Sequence, residues 1–109
     1  MAYDTELAQR IHTLMEATPG MTEKKMFGGV GYLLHGNMAC GVHGQHLIVR
    51  LEPARYPQIL KQPHVKPFDI TGRPMTGWVM VEPPALQSDG ELMAWLDEAL
   101  AFARILPPK

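Results

Sequence analysis

Between Lys25 and Leu51 the apolar residues of this sequence stop recurring at helical spacing and fall on alternate positions instead. Val30, Tyr32 and Leu34 form one such set, Met38, Cys40 and Val42 a second, and Leu47, Val49 and Leu51 a third. A period of two belongs to extended chain with one face buried, because successive side chains of a strand point to opposite sides. The separators, His35-Gly36-Asn37 and Gly44-Gln45, are short and carry residues that tolerate the positive φ of tight hairpin turns. Three consecutive antiparallel strands follow, and their apolar face needs a second layer to cover it.

Helices on either side supply that layer. Tyr3 to Ala17 reads as one: Asp4 caps it, Glu6 suits the positive first turn, and Leu7, Ile11, Leu14 and Met15 recur at helical spacing until Thr18-Pro19-Gly20 stops the run. Pro53 to Gln62 reads as a short second helix with Pro57 near its start. Phe68 to Thr71 and Gly77 to Val81 read as two further strands across a turn holding Gly72, Arg73 and Pro74. The clearest helix comes last. Ser88 and Glu91 make a capping box, Leu92, Leu96, Ala99, Leu100 and Ala103 make its stripe, and Pro107-Pro108 ends it. The expected fold is α+β, a five-stranded and mainly antiparallel sheet with helices packed on one face, in the order α-β-β-β-α-β-β-α.

With 109 residues and 46% of them apolar, the chain has the material for one core, so residues 1–109 are read as a single domain. One cysteine, Cys40, excludes an intrachain disulfide and points to a reducing, cytoplasmic setting. The acidic N-terminus is unlike a signal peptide, and no apolar run reaches the roughly 18 residues of a membrane span.

Four features bear on function. Gly29 and Gly31 share one face of their strand, as do Ala39 and Gly41 on the next, which leaves a patch nearly free of side chains; close helix packing is the favoured reading and a binding groove the other. Cys40, His43, His46 and His35 include zinc-binding types, but residues three apart on a strand diverge, so no metal site is expected. Residues 24–73 hold seven basic groups against two acidic ones, while the rest holds three against nine. Such a basic segment suits nucleic acid or an ordinary protein-contact surface, and the lack of a basic helical stripe favours the second. Finally, Trp95 and Phe102 broaden the last helix beyond a standard amphipathic stripe, and with Trp78 they read as core or as interface anchors. No paired carboxylates and no nucleophile-base set emerge from the sequence.

The run Lys24-Lys25-Met26-Phe27-Gly28-Gly29-Val30-Gly31-Tyr32, followed by Gly36-Asn37-Met38-Ala39, Gly72-Arg73-Pro74-Met75, Gly77-Trp78 and Ala101-Phe102-Ala103-Arg104, resembles the TfoX (Sxy) N-terminal domain family across nearly the whole chain. The resemblance implies the element order given above. It also implies regulation of natural competence in bacteria alongside the cyclic-AMP receptor protein, by protein association rather than catalysis. Full-length members carry a second, helical domain, so a chain stopping at Lys109 is read as a stand-alone N-terminal domain. The expected function is therefore a non-enzymatic, cytoplasmic regulatory or adaptor domain with a protein partner or a second copy of itself, and no cofactor. The alternatives are a nucleic-acid-binding module using residues 24–73 and a small-molecule site over the glycines. The candidate surface comprises Lys24, Lys25, Phe27, Gly29, Gly31, Arg50, Arg73, Trp78, Trp95 and Phe102.

Overall fold

A computed structural model describes residues 3–26, 29–68 and 76–108. The chain opens with helix α1 (Thr5–Met15), whose first turn is capped by the Asp4 carboxylate accepting from the backbone N–H groups of Glu6 and Leu7 at 3.0 and 3.1 Å. Tyr3 lies outside the helix and bridges to Gly44. Four strands follow, β1 (Met21–Met26), β2 (Gly29–Leu34), β3 (Asn37–His43) and β4 (His46–Arg50). A 3-10 turn (Pro53–Arg55) runs into the single-turn helix α2 (Tyr56–Ile59), then come β5 (Val65–Pro67), β6 (Trp78–Val81) and helix α3 (Asp89–Ala103).

The α+β class stands, but the sheet has six strands rather than five, and the order gains a strand before the expected three. The additional strand is β1. Its Thr22, Glu23, Lys24 and Lys25 are all exposed, so no apolar residue alternates there to betray it, and charged side chains on an edge strand discourage pairing with another chain. The expected strand Phe68 to Thr71 also moves: the edge strand is β5, placed earlier because Val65 is the residue that faces Val81 across the ladder. Residues 69–71 lie outside the described residues, as does the turn Gly72-Arg73-Pro74.

All named pairs are antiparallel, in the order β1-β2-β3-β4-β6-β5. The β2–β3 hairpin turns on His35 and Gly36 at φ 51° and 86°, two consecutive positive values of the kind a two-residue I′ hairpin requires. Register decides what faces what. Val30 and Tyr32 of β2, Cys40 and Val42 of β3, Leu47 and Val49 of β4, and Val79 and Val81 of β6 align on one face, and every one is buried. Against this face pack Leu7, Ile11 and Met15 of α1, Ile59 of α2, and Leu92, Trp95, Leu96, Ala99, Leu100 and Ala103 of α3. The Tyr32 hydroxyl donates to the Ala8 carbonyl at 2.9 Å, tying β2 to α1. At the other end, the Ser88–Glu91 capping box starts α3, with Ser88 Oγ accepting from Glu91 N–H at 3.1 Å and Glu91 Oε1 accepting from Ser88 N–H at 3.3 Å. No described helix is long and apolar enough to cross a membrane.

Candidate functional site

The helices cover one face of the sheet, so the residues of opposite parity make up the other. Across the six strands one row of that face reads Lys24, Gly31, Gly41, Ile48, Met80 and Lys66. The next row pairs Arg50 with Trp78, and Phe68 continues it by donating its N–H to the Trp78 carbonyl at 3.2 Å.

The glycines of this face are not where a helix packs. All three helices lie on the opposite side, so the favoured expectation of close helix packing fails. Between Tyr32 and Leu33 the β2–β3 register slips by one residue, and Ala39 is the extra one. The bulge turns Ala39 into the core, where it is fully buried, and away from Gly41. What approaches Gly41 is its own sheet: a Cβ there would lie 2.6 Å from the Val30 carbonyl oxygen and 3.0 Å from the Met38 terminal methyl. At Gly29 a Cβ would fall on the Val42 carbonyl oxygen. Glycine here permits tight coiling of β2 on β3, and Met38 lies over what would otherwise be a trough.

A second group of residues, distant in the sequence, does converge. The guanidinium carbon of Arg50 sits 5.4 Å from the ring centroid of Trp78 and 5.3 Å from that of Phe102. Phe68 joins from just past β5, its ring 6.3 Å from Trp78 and tilted by 40°. A guanidinium within about 6 Å of an aromatic face is attracted by the ring quadrupole while its N–H edges stay available to an anion. Among the described residues Arg50 makes no ion pair. Three of the ten expected surface residues thus form one cluster, built by the end of β4, the start of β6 and the last turn of α3.

The model of the TfoX N-terminal domain matches residues 13–103. The chain belongs to the TfoX N-terminal domain family. Neither a curated protein nor a solved structure matches it.

Within this TfoX N-terminal domain the other expected residues scatter. Lys24 and Gly31 are cross-strand neighbours on the open face, with Gly29 at its end, whereas Lys25 pairs with Val30 and so stands on the helix side, exposed at the edge. Phe27 and Arg73 lie outside the described residues. Trp95 is 9% exposed and belongs to a separate cleft of about 390 Å³ between α3 and the segments flanking α2 and α3, lined by Ile59, Pro63, His64, Pro84, Trp95 and Glu98. That volume is within the range of small-molecule sites. Its rim carries the Arg55–Glu98 pair, in which Arg55 Nη2 donates to Glu98 Oε1 at 2.6 Å and Nε to Oε2 at 3.1 Å. His64 holds a left-handed backbone, φ 66°, with its Nδ1 3.8 Å from Glu82 Oε1. The sequence reading missed this cleft. The prolines at 63, 83 and 84 were its only sequence signal, marking two rigid segments that bracket Trp95.

Cys40 is fully buried, and desolvation pushes its thiol up to about 12. It faces the helices, while His43, paired with His46, faces the other way, as the strand geometry predicts. Tyr32 is raised above the usual phenol range, first by burial and second by the Glu23 carboxylate. Among the described residues no three His, Cys, Asp or Glu side chains gather closely enough to hold a metal ion.

Proposed function

We propose that this TfoX N-terminal domain is a non-enzymatic, cytoplasmic regulatory or adaptor domain that acts through protein association in transcription regulation, the role the family resemblance implies. The observation that carries the reading is the Arg50–Trp78–Phe102 cluster, where the end of β4, the start of β6 and the last turn of α3 meet. Arginine and tryptophan dominate the energetics of protein interfaces, because both combine a large apolar area with directed polar groups. Lys24 and Arg50 stand on the sheet face turned away from the helices, whereas Glu6, Asp89, Glu91, Asp97 and Glu98 are carried on α1 and α3. An acidic partner surface that lays a carboxylate on the Arg50 guanidinium fits this charge and shape.

The test is a nuclease-treated pull-down from the native cell extract with the wild-type domain and with Arg50→Glu. A stoichiometric protein retained by the first and lost with the second supports the reading, and recovery of no protein with either sinks it. A second reading, binding of single-stranded nucleic acid, draws on the same cations with Trp78 and Phe68 as stacking platforms. It requires an affinity for labelled oligonucleotide that falls steeply as salt rises; flat or absent binding at low salt rejects it.

A further inference from the structure

We infer that the sheet face turned away from the helices docks an acidic amphipathic helix of another protein. The inference rests on the protein-association reading above and names the chemistry of the partner.

The outward positions of the central strands carry the wrong residues for a face left to water. In an antiparallel sheet with one solvated face, polar side chains alternate with the buried set. Here β4 turns Ile48 outward, β6 turns Trp78 and Met80, and Leu33 faces Met38 across the β2–β3 ladder beyond the bulge. Ile48 is 2% exposed, yet it is the one buried apolar side chain among the described residues that lies outside the cluster the helices complete. Leu33, Met38, Phe68, Trp78 and Met80 are half-buried, and none of them packs on that cluster either. They form a second apolar layer with one side open. Surface of this kind gains by being covered.

What fits over it follows from width and charge. From Leu33 on β2 to Met80 on β6 there are three strand spacings, roughly 14 Å, and a helix with its side chains is about 10–12 Å across. One helix therefore covers the patch and leaves the sheet with a helical layer on each face.

Cations stand around the patch. Lys24 ends its central row on β1, Lys66 ends it on β5, and Arg50 lies beside Trp78. Among the described residues Lys24 and Arg50 make no ion pair, while Glu82, just past β6, is already held by Lys66 at 3.2 Å. A helix with an apolar stripe flanked by Asp or Glu meets both the centre and the rim. A nucleic-acid strand matches the rim alone. Bases stack on aromatic rings, whereas the centre holds Ile48, Met80, Met38 and Leu33, and Trp78 is already flanked by Arg50 and Phe68. Methionine suits an apolar helix face, because its unbranched thioether adapts to the side chain it meets.

Titration calorimetry with a designed helical peptide tests this. The probe has roughly 15 residues, with leucines at i, i+3, i+4 and i+7 and glutamates on both flanks of that stripe; its counterpart carries lysines in place of the glutamates. The glutamate peptide should bind, and the lysine peptide should bind about 10-fold more weakly or less. Met80→Asp sets a charge in the centre of the patch and should weaken the glutamate peptide by about 10-fold or more. Lys24→Glu, at an exposed position, should keep the wild-type thermal melt and narrow the preference between the two peptides by about 5-fold. Should Met80→Asp lose that melt, Lys24→Glu alone decides. A glutamate peptide that does not bind, or binds no better than the lysine peptide, overturns the inference. An oligothymidine bound more tightly than the glutamate peptide overturns it in favour of nucleic acid. The pull-down separates this from the wider reading. A captured protein that is lost with Arg50→Glu but survives Met80→Asp and Lys24→Glu leaves protein association standing and removes this face as its site. Peptide binding of the expected preference with no captured protein keeps the chemistry of the face and removes the wider reading.

Discussion

Gly41 offers the sharpest test of how β2 and β3 are shaped. Alanine there would place a methyl 2.6 Å from the Val30 carbonyl oxygen, whereas carbon–oxygen contacts across sheets keep roughly 3.3–3.6 Å. The Met38 methyl, at 3.0 Å, belongs to a flexible side chain and can turn aside. The Val30 carbonyl cannot, because it is part of a backbone paired in register with Val42. The strands must therefore part locally by most of an ångström. One or two ladder hydrogen bonds weaken, each worth about 0.5–1.5 kcal/mol net. The stiffer unfolded chain of the alanine variant returns about 0.4–1 kcal/mol, which leaves a loss of about 1 kcal/mol at the middle of these ranges. For a domain of this size that lowers Tm by about 5 °C. Two other glycines calibrate the result. At Gly44 an added Cβ meets nothing within 4 Å but φ is +60°, so alanine should cost about 1 kcal/mol from backbone strain alone. At Gly90 the nearest atom is Ser88 Oγ at 3.9 Å and the residue is helical, so alanine should stabilise by about 0.5–1 kcal/mol. Urea unfolding of the three variants should rank Gly90→Ala above wild type and both Gly41→Ala and Gly44→Ala below it. A Gly41→Ala variant as stable as wild type would refute the reading of these glycines as sites of close strand approach.

Three further outcomes are expected. Ser88→Ala removes the side-chain acceptor of the α3 capping box and should cost about 1 kcal/mol in urea unfolding, with the far-ultraviolet spectrum retained. Ile11→Ala, at a position with no exposure between α1 and the sheet, should cost about 2–5 kcal/mol, depending on how far α1 settles into the space. Cys40 carries a pH dependence of definite sign. Its thiol keeps its proton when folded, up to about 12, whereas the unfolded chain releases it near the ordinary 9.0. Stability is therefore full below pH 9 and falls as pH rises toward 12, by up to about 1.4 kcal/mol per pH unit. Tyr32 acts in the same direction, so the diagnostic is the difference between wild type and Cys40→Ala, whose stability should decline less steeply over this interval. Equal slopes would contradict a buried thiol.

What the sequence disclosed and what it withheld divide along a physical line. Elements whose signal is local were legible: the Asp4 cap, the Ser88–Glu91 box, the His35-Gly36 turn and the alternating core of β2 and β4 depend on residues a few positions apart, whereas in β3 only Cys40 and Val42 of the expected set face the core and Met38 lies on the other side. Strand β1 was not, because Thr22, Glu23, Lys24 and Lys25 are exposed whichever face they point to and so have no reason to alternate. The glycine patch shows a subtler loss. Ala39 and Gly41 are two residues apart, so a regular strand would hold them on one face, but the bulge at Ala39 sends it into the core. A slip of one residue reverses which side of a sheet a side chain meets, and periodicity cannot register it. The candidate site illustrates the same boundary. Arg50, Trp78 and Phe102 were each singled out from composition and spacing, yet nothing in the sequence joined them. Their meeting depends on β6 inserting between β4 and β5, which sets Trp78 beside Arg50, and on α3 crossing β3 and β4 so that its last turn brings Phe102 to the same guanidinium. Strand order is thus what turns three isolated candidates into one surface. A substitution that leaves all three residues in place but loosens the β4–β6 pairing should dissolve the site as surely as Arg50→Glu.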